Sequence, residues 1–264
     1  MSGRIPARIA RLCAASLTVL AVGAATAAAA SAETVYDNVP ATLPGNFASI
    51  GLAATSSSEF GGEIELAGAA RRQPTITVVM SSWACESGSW TEPSACLTPK
   101  PRKTFKVPLT VKVYAADELN EGPIGEVTKS IKMHYRPSDS ASCPSGEQWY
   151  DAATSECFHG YAFPVSLTLK KLKKMPQKAV VTFSYPHSSG PAESLNISVS
   201  EPEEHTLSVG SDPVEEWFAN STWSGMYCPG ATDVGQLGPE QGVGCAAEES
   251  GGVNYQPVIS VSAN

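Results

Sequence analysis

Alternation of apolar and polar residues is the strongest pattern along the chain. It is clearest from Lys106 to Val113, where every second residue is valine or leucine and most of the others are polar. One face of such a strand is buried and the other is wet. Similar runs rich in β-branched residues, each bounded by Gly, Pro, Ser or Asn, recur along the chain. The predicted strands are Gly62–Ala67, Thr75–Ser81, Thr104–Ala115, Gly125–Tyr135, Phe163–Lys171, Lys178–Tyr185, Ser194–Ser200, Thr206–Val209 and Val253–Ser262.

Two of these segments predict a long hairpin. Thr104–Ala115 and Gly125–Tyr135 flank a polar stretch, Asp117–Gly122, which suits a connecting loop. No sustained 3.6-residue apolar period occurs outside the N-terminal leader, so helix should be scarce. Strands at this spacing without intervening helices predict an all-β fold, an antiparallel β-sandwich of Ig-like or jelly-roll-like type.

The first 32 residues have the pattern of a secretory signal peptide. Met1–Cys13 carries three arginines and no acid, and the apolar run Ala14–Ala30 follows it. The small residues Ala30–Ala32 fit a cleavage site, which predicts a secreted extracellular chain starting at Glu33. A retained membrane anchor is the alternative, but the apolar run is short and no stop-transfer charges follow. We therefore expect one secreted domain over residues 33–264, with two smaller β-domains as the alternative.

The charge of the mature chain limits its partners. The full chain has a formal net charge of −8, and removal of the three leader arginines makes it −11. An acidic surface argues against nucleic acid and, after cleavage, against anionic membrane as partners. The one basic cluster, Lys170–Lys174, is predicted to be a solvated turn, with contact to an acidic polymer as the alternative.

Six of the seven cysteines fall into three close pairs. These are Cys85 with Cys96, Cys143 with Cys157, and Cys228 with Cys245. Export makes disulfides the default, and each pair brackets a loop rich in Gly, Pro or Ser, so we predict three local disulfides among fifteen connectivities. A zinc site is the alternative, but there is no C-x₂-C spacing and no closely placed histidine. No metal and no cofactor is expected.

Catalytic motifs are missing from the sequence. There is no G-x-S-x-G elbow, no H-E-x-x-H and no P-loop, so we expect a protein that is not an enzyme. A pair of carboxylates for glycoside hydrolysis would leave no linear motif. The densest acids are Glu201, Glu203, Glu204, Glu215 and Glu216.

Aromatic residues of the cysteine-bearing loops are the candidate ligand contacts. Loop aromatics on a rigid sandwich can stack on sugar rings or anchor a partner protein. Alternatively they pack over the disulfides as small satellite cores. The candidates are Trp217 and Trp223, which flank a polar Asn-Ser-Thr stretch, and Tyr227, Trp83 and Trp90.

Several sequence blocks resemble a family of secreted actinobacterial proteins without an established activity. The blocks are Val35–Pro40 with Leu43–Asn46, Ala54–Gly61, Ser81–Trp90, Tyr135–Ser138 and Ser194–Asn196. The resemblance spans most of the mature chain and implies export and a β-rich fold. Family members often carry a further cysteine pair before the Ser-Leu-Asn block, whereas Tyr185–Glu193 is short here and has none.

Together these features predict a secreted, non-catalytic β-sandwich protein. We expect it to bind an extracellular or cell-envelope ligand, such as a glycan or a surface protein. Two other classes remain open: a secreted polysaccharide hydrolase that uses a carboxylate pair, and a structural surface protein without a small ligand.

Overall fold

Two antiparallel sheets with a shared apolar core make up the protein. The computed structural model describes residues 32–90, 95–100, 102–200, 207–212, 216–221, 236–241 and 255–264. The strands are β1 (Glu33–Asp37), β2 (Ser49–Gly51), β3 (Ser57–Glu65), β4 (Thr75–Ser82), β5 (Thr104–Ala115), β6 (Gly125–His134), β7 (Trp149–Asp151), β8 (Glu156–Phe158), β9 (Tyr161–Thr168), β10 (Lys178–Ser184), β11 (Leu195–Ser200), β12 (Glu216–Ser221), β13 (Gly238–Gln241), β14 (Gln256–Pro257) and β15 (Ile259–Ala263). Short 3₁₀ helices span Ala116–Glu121 and Gly190–Ser194.

The first sheet is built around β4. In the described part of the chain it has seven strands, and β4 pairs with β9 on one side and with β15 and β11 on the other. β1 continues the sheet beside β15, β14 pairs with the end of β11, and β2 lies beside β11 as a short edge strand. The second sheet has the order β13-β12-β3-β10-β5-β6, and β7 and β8 form a separate small hairpin.

The predicted hairpin is confirmed. β5 and β6 pair antiparallel from Thr104 opposite His134 to Val113 opposite Gly125, and the polar connection contains the first 3₁₀ helix. Four alternate side chains of β5, those of Val107, Leu109, Val111 and Val113, are fully or almost fully buried, as the alternation predicts. They join a core cluster to which both sheets contribute, including Ile76 of β4 and Phe183 of β10.

The antiparallel β-sandwich is therefore confirmed, and the sheets curl into a half-barrel. They approach each other where β6 meets β9: the His134 ring lies 5.0 Å from that of Phe163 and 6.0 Å from that of Tyr161 between centroids. Residues Ser31–Asn264 form one compact unit. No helix in the described residues is long and apolar enough to span a membrane. The predicted leader lies outside the described residues, apart from Ala32.

Most predicted strands are present with shifted ends, and one is wrong. Of the predicted strand Thr206–Val209, residues 207–209 are described, and they contain only an isolated bridge from Val209 to Asp37. The predicted C-terminal strand is divided at Val258, whose side chain packs on Val79 of β4. Strands β1, β2, β7, β8, β12 and β13 were not predicted, and five of them have five residues or fewer.

Burial of His134 makes the free energy of unfolding depend on pH. Burial lowers the pKa of His134 below 6.5, and the charge of Arg102 lowers it further. The unfolded chain, with the ordinary pKa, therefore binds the proton first as the pH falls through 6.5. The stabilisation that comes from neutral His134 is fully present above pH 6.5. It is lost as the pH falls from 6.5 to the lower pKa that His134 has in the folded protein. We expect His134→Phe to weaken the fall in unfolding free energy between pH 7 and pH 5, measured by urea denaturation. Parallel pH profiles for the two proteins would contradict this account.

Candidate functional site

A pocket of about 600 Å³ lies at the edge of the first sheet, beside β2 and the start of β11. Its volume is in the range of small-ligand sites. The wall combines small and aliphatic residues, aromatic rings and a few polar side chains. The residues that matter for its chemistry are Trp83, Trp90, Tyr255, Ser49, Asn196 and Glu193.

Two tryptophans form the aromatic side of the pocket. The rings of Trp83 and Trp90 meet edge to face, with centroids 4.9 Å apart and planes at 79°. The other side of Trp83 is occupied, because the His159 ring stacks on it at 5.6 Å. The Trp83 indole N–H donates to Ser81 Oγ at 3.1 Å, and that hydroxyl donates to Asn46 Oδ1 at 2.6 Å. Trp83 is therefore a fixed support, while Trp90, which is 37% exposed, presents accessible ring surface.

Polar side chains also line the pocket. Asn196 on β11 donates from Nδ2 to Ser49 Oγ on β2 at 3.0 Å, which orients its amide. β2 and β11 pair here with Gly51 opposite Asn196. A Cβ at Gly51 would lie 2.5 Å from Asn196 Oδ1, so only glycine leaves room for this amide. The carboxylate of Glu193, which is exposed on the second 3₁₀ helix, adds an acceptor at the pocket.

The loop that carries Trp90 is closed by a disulfide. Cys85 and Cys96 are bonded, with a Cα–Cα distance of 5.3 Å, as predicted from their spacing. Beside the disulfide, Ser87 and Leu97 exchange two main-chain hydrogen bonds of 3.0 and 2.9 Å. Gly88 has φ +79°, and a Cβ there would lie 1.8 Å from the Ala95 carbonyl oxygen, so a side chain at this position is excluded.

A buried ion pair ties this loop to the rest of the molecule. Arg136 is fully buried, and its Nη2 donates to Asp139 Oδ1 and to the Glu147 carbonyl oxygen at 3.0 Å. The other oxygen of Asp139 accepts the main-chain N–H of Cys96 at 2.6 Å, and the main-chain N–H of Arg136 donates to the Ala84 carbonyl at 2.9 Å. Burial lowers the pKa of Arg136, and the Asp139 carboxylate opposes that shift. The first disulfide loop is thus held at Cys96 and at Ala84, the residue before Cys85.

The second predicted disulfide is also present and encloses a different kind of aromatic. Cys143 and Cys157 are bonded, with a Cα–Cα distance of 5.8 Å. Trp149 in this loop is 6% exposed, and its indole N–H donates to the Gly160 carbonyl at 2.6 Å. Its ring packs at 5.5 Å from Phe158. Trp149 therefore belongs to a satellite core, whereas Trp90 lines a pocket.

The remaining predicted site residues are only partly covered by the structure. Trp217 lies on β12 with its main chain opposite Gly62 of β3, and its side chain is not described. Trp223, Tyr227 and the predicted disulfide between Cys228 and Cys245 lie outside the described residues. Sequence reasoning missed Asn196, Ser49 and Glu193, because a short polar edge strand gives no pattern that marks it as a pocket wall.

The buried carboxylate of Glu59, on strand β3 of the second sheet, is held by hydrogen bonds from neighbouring side chains. Glu59 accepts hydrogen bonds from Lys112 and Tyr114, both at 2.8 Å, and from Thr182. Burial, followed by the nearby Glu59 charge, raises the pKa of Tyr114. With three donors, this carboxylate is fully engaged. Among the described residues, no group of three His, Cys, Asp or Glu side chains has the geometry to hold a metal ion.

No protein-family model, curated protein or solved structure matches the chain significantly. The chemistry of the site therefore has to be argued from its own geometry.

The Arg136–Asp139 pair should dominate the stability of the loop region. Asp139→Asn leaves a buried guanidinium without its counter-charge, which costs about 3 kcal/mol or more in comparable buried pairs. We expect a loss of that size in the free energy of unfolding of the oxidised protein, measured by urea denaturation. The matched control is Glu86→Gln, which breaks the exposed Lys103–Glu86 pair at 2.8 Å and should change stability little. Equal losses in the two variants would show that the buried pair has no special role.

Proposed function

We propose that the protein is a secreted, non-catalytic binding protein and that the pocket beside β2 takes a saccharide. The observation that supports this most directly is that the partly exposed Trp90, packed edge to face against Trp83, lines the same pocket as the polar Asn196. A sugar ring has apolar faces and polar edges, which fit an aromatic wall facing hydrogen-bonding groups.

The polar side of the pocket supports a ligand rich in hydroxyl groups. Asn196 offers amide hydrogen-bonding capacity in a fixed orientation, and Glu193 offers a carboxylate acceptor. Ser49 and the missing side chain of Gly51 set the position of Asn196. The Asn196 side chain therefore loses little conformational entropy when a ligand binds. Preorganisation of this kind favours affinity without a large contact area.

A binding role also accounts better for the carboxylates than hydrolysis does. Glycoside hydrolysis requires two acids that flank the scissile bond. Among the described residues that line the pocket, Glu193 is the single acid, and Glu59 is engaged by three donors elsewhere. The resemblance to exported actinobacterial proteins favours a ligand in the cell envelope or outside the cell.

Trp90→Ala tests the proposal. The chain from Glu33 is titrated with a panel of gluco-, galacto-, manno- and N-acetylglucosamine oligosaccharides, and binding is measured by calorimetry and tryptophan fluorescence. We expect at least one of them to bind and Trp90→Ala to weaken it tenfold or more, about 1.4 kcal/mol. The matched control is Tyr150→Ala, because Tyr150 is 40% exposed but lies outside the pocket lining. Its affinity should match that of the unmodified protein.

Two results would contradict the proposal. One is the absence of binding to every oligosaccharide in the panel. The other is a Trp90→Ala variant that binds as tightly as the Tyr150→Ala control. Release of reducing ends from a bound oligosaccharide would favour the hydrolase instead.

A further inference from the structure

A basic surface lies at the other end of β4 from the pocket. It consists of Arg72, which precedes the strand, and of the four lysines in the turn after β9. We call this set the basic turn: Arg72, Lys170, Lys171, Lys173 and Lys174. A concavity of about 500 Å³ lies within it, lined by Arg72, Lys170 and Lys173 together with Gln73, Leu172 and Asn264.

Buried anchors hold the basic turn in shape. Leu169, Leu172 and Met175 alternate with the lysines and are 2%, 6% and 0% exposed. Main-chain hydrogen bonds connect the turn to the segment before β4: Leu169 N to Pro74 O and Met175 N to Arg71 O, both 2.9 Å. Because the apolar residues are fixed in the core, the main chain of the turn holds the lysines between them close together at the surface.

The cations of the basic turn have no carboxylate partner in the described part of the chain. The ion pairs found there involve Lys103, Lys112 and Arg136. Five exposed cations side by side repel one another, and the chain as a whole carries a formal net charge of −8. A local field of opposite sign on an acidic protein favours a specific anionic partner over general adhesion to anions.

One residue that lines the concavity has an uncommon main-chain conformation. Gln73 has φ +47°, in the left-handed region that residues other than glycine seldom occupy. Such conformations persist where the surroundings enforce them, and they cluster at ligand sites. Here the segment is pinned on both sides, by the turn and by the two main-chain hydrogen bonds, 2.8 and 2.9 Å, between Arg72 and Asn264.

We propose that the basic turn is a binding site for a phosphate-bearing extracellular polymer. Arg72 supplies a planar fork that can hold two oxygens of one phosphate, and Lys170 and Lys173 supply point charges around the same concavity. Lys171 and Lys174 extend the positive surface beyond it, so that neighbouring phosphates of a chain are contacted. This site uses none of the residues of the saccharide pocket.

The test uses inorganic polyphosphate, which contains no sugar ring, so its outcome is independent of the saccharide pocket. Binding is measured by calorimetry at 50 mM salt, and the variant is Arg72→Ala/Lys170→Ala/Lys173→Ala. We expect its affinity to fall at least tenfold. Binding by the unmodified protein should also weaken strongly at 0.5 M salt, where charges are screened over a few ångströms.

The matched control changes the same number of charges elsewhere. Lys106→Ala/Lys129→Ala/Lys132→Ala removes three exposed lysines of the β5–β6 hairpin, two of which face each other in its register. Its affinity should stay within threefold of the unmodified protein. Circular dichroism should show both triple variants folded, since all six side chains are exposed.

Three outcomes would overturn the proposal. The first is that polyphosphate does not bind the unmodified protein at all. Equal losses in the two triple variants would mean that net charge, and not this site, attracts the polymer. Equal competition by orthophosphate at the same phosphate concentration would mean that a single free anion, and not a polymer, is bound.

Discussion

The buried ion pair between Arg136 and Asp139 is the interaction on which the arrangement of the site depends. It lies next to both described disulfide loops: Asp139 accepts the Cys96 N–H, and Arg136 donates to the carbonyl of Glu147, which is inside the second loop. A disulfide alone reduces the conformational entropy of the unfolded chain but does not orient the loop that it closes. Orientation here comes from charge-assisted hydrogen bonds to the main chain at the base of the loop.

That constraint explains why two loops of similar composition have different roles. The Cys143–Cys157 loop turns Trp149 inward onto Phe158 and the Gly160 carbonyl. The Cys85–Cys96 loop, fixed at Ala84 and Cys96, brings Trp90 against Trp83 at the edge of the sheet. The same pairing of cysteines and tryptophans therefore yields a satellite core in one case and a pocket wall in the other.

Strand β4 relates the two proposed sites. The basic turn precedes it at Arg72 and the aromatic residues of the pocket follow it at Trp83. Eight strand residues span roughly 26 Å. A single polymer that occupied both proposed sites would have to span about this distance.

The sequence predicted those parts of the fold that depend on local pattern. The β5–β6 hairpin followed from period-two alternation, and the disulfides Cys85–Cys96 and Cys143–Cys157 followed from short spacing together with the predicted signal peptide. The pairing of β1 with β15 could not be predicted, because it joins residues more than 200 positions apart that carry no mutual signal.

The candidate site was predicted only in its aromatic half. Trp83 and Trp90 stood out because they lie beside and in a cysteine loop, but Trp149 also lies in such a loop and is buried. Only packing separates these cases. Asn196 and Gly51 are brought together by the register of β2 on β11, and Arg136 resembles any exposed loop arginine until its burial is known.

The most direct measurement of the central claim is an NMR titration that follows the indole N–H signals of Trp83, Trp90 and Trp149. It uses the oligosaccharide that binds best and compares the unmodified protein with Asp139→Asn. The account predicts ligand-dependent shifts for Trp83 and Trp90 but not for Trp149. In Asp139→Asn those two responses should be lost or greatly weakened while the signals of the β5–β6 hairpin stay in place. Identical titrations of the two proteins, with the Asp139→Asn protein folded, would contradict the claim that the buried pair positions the binding loop.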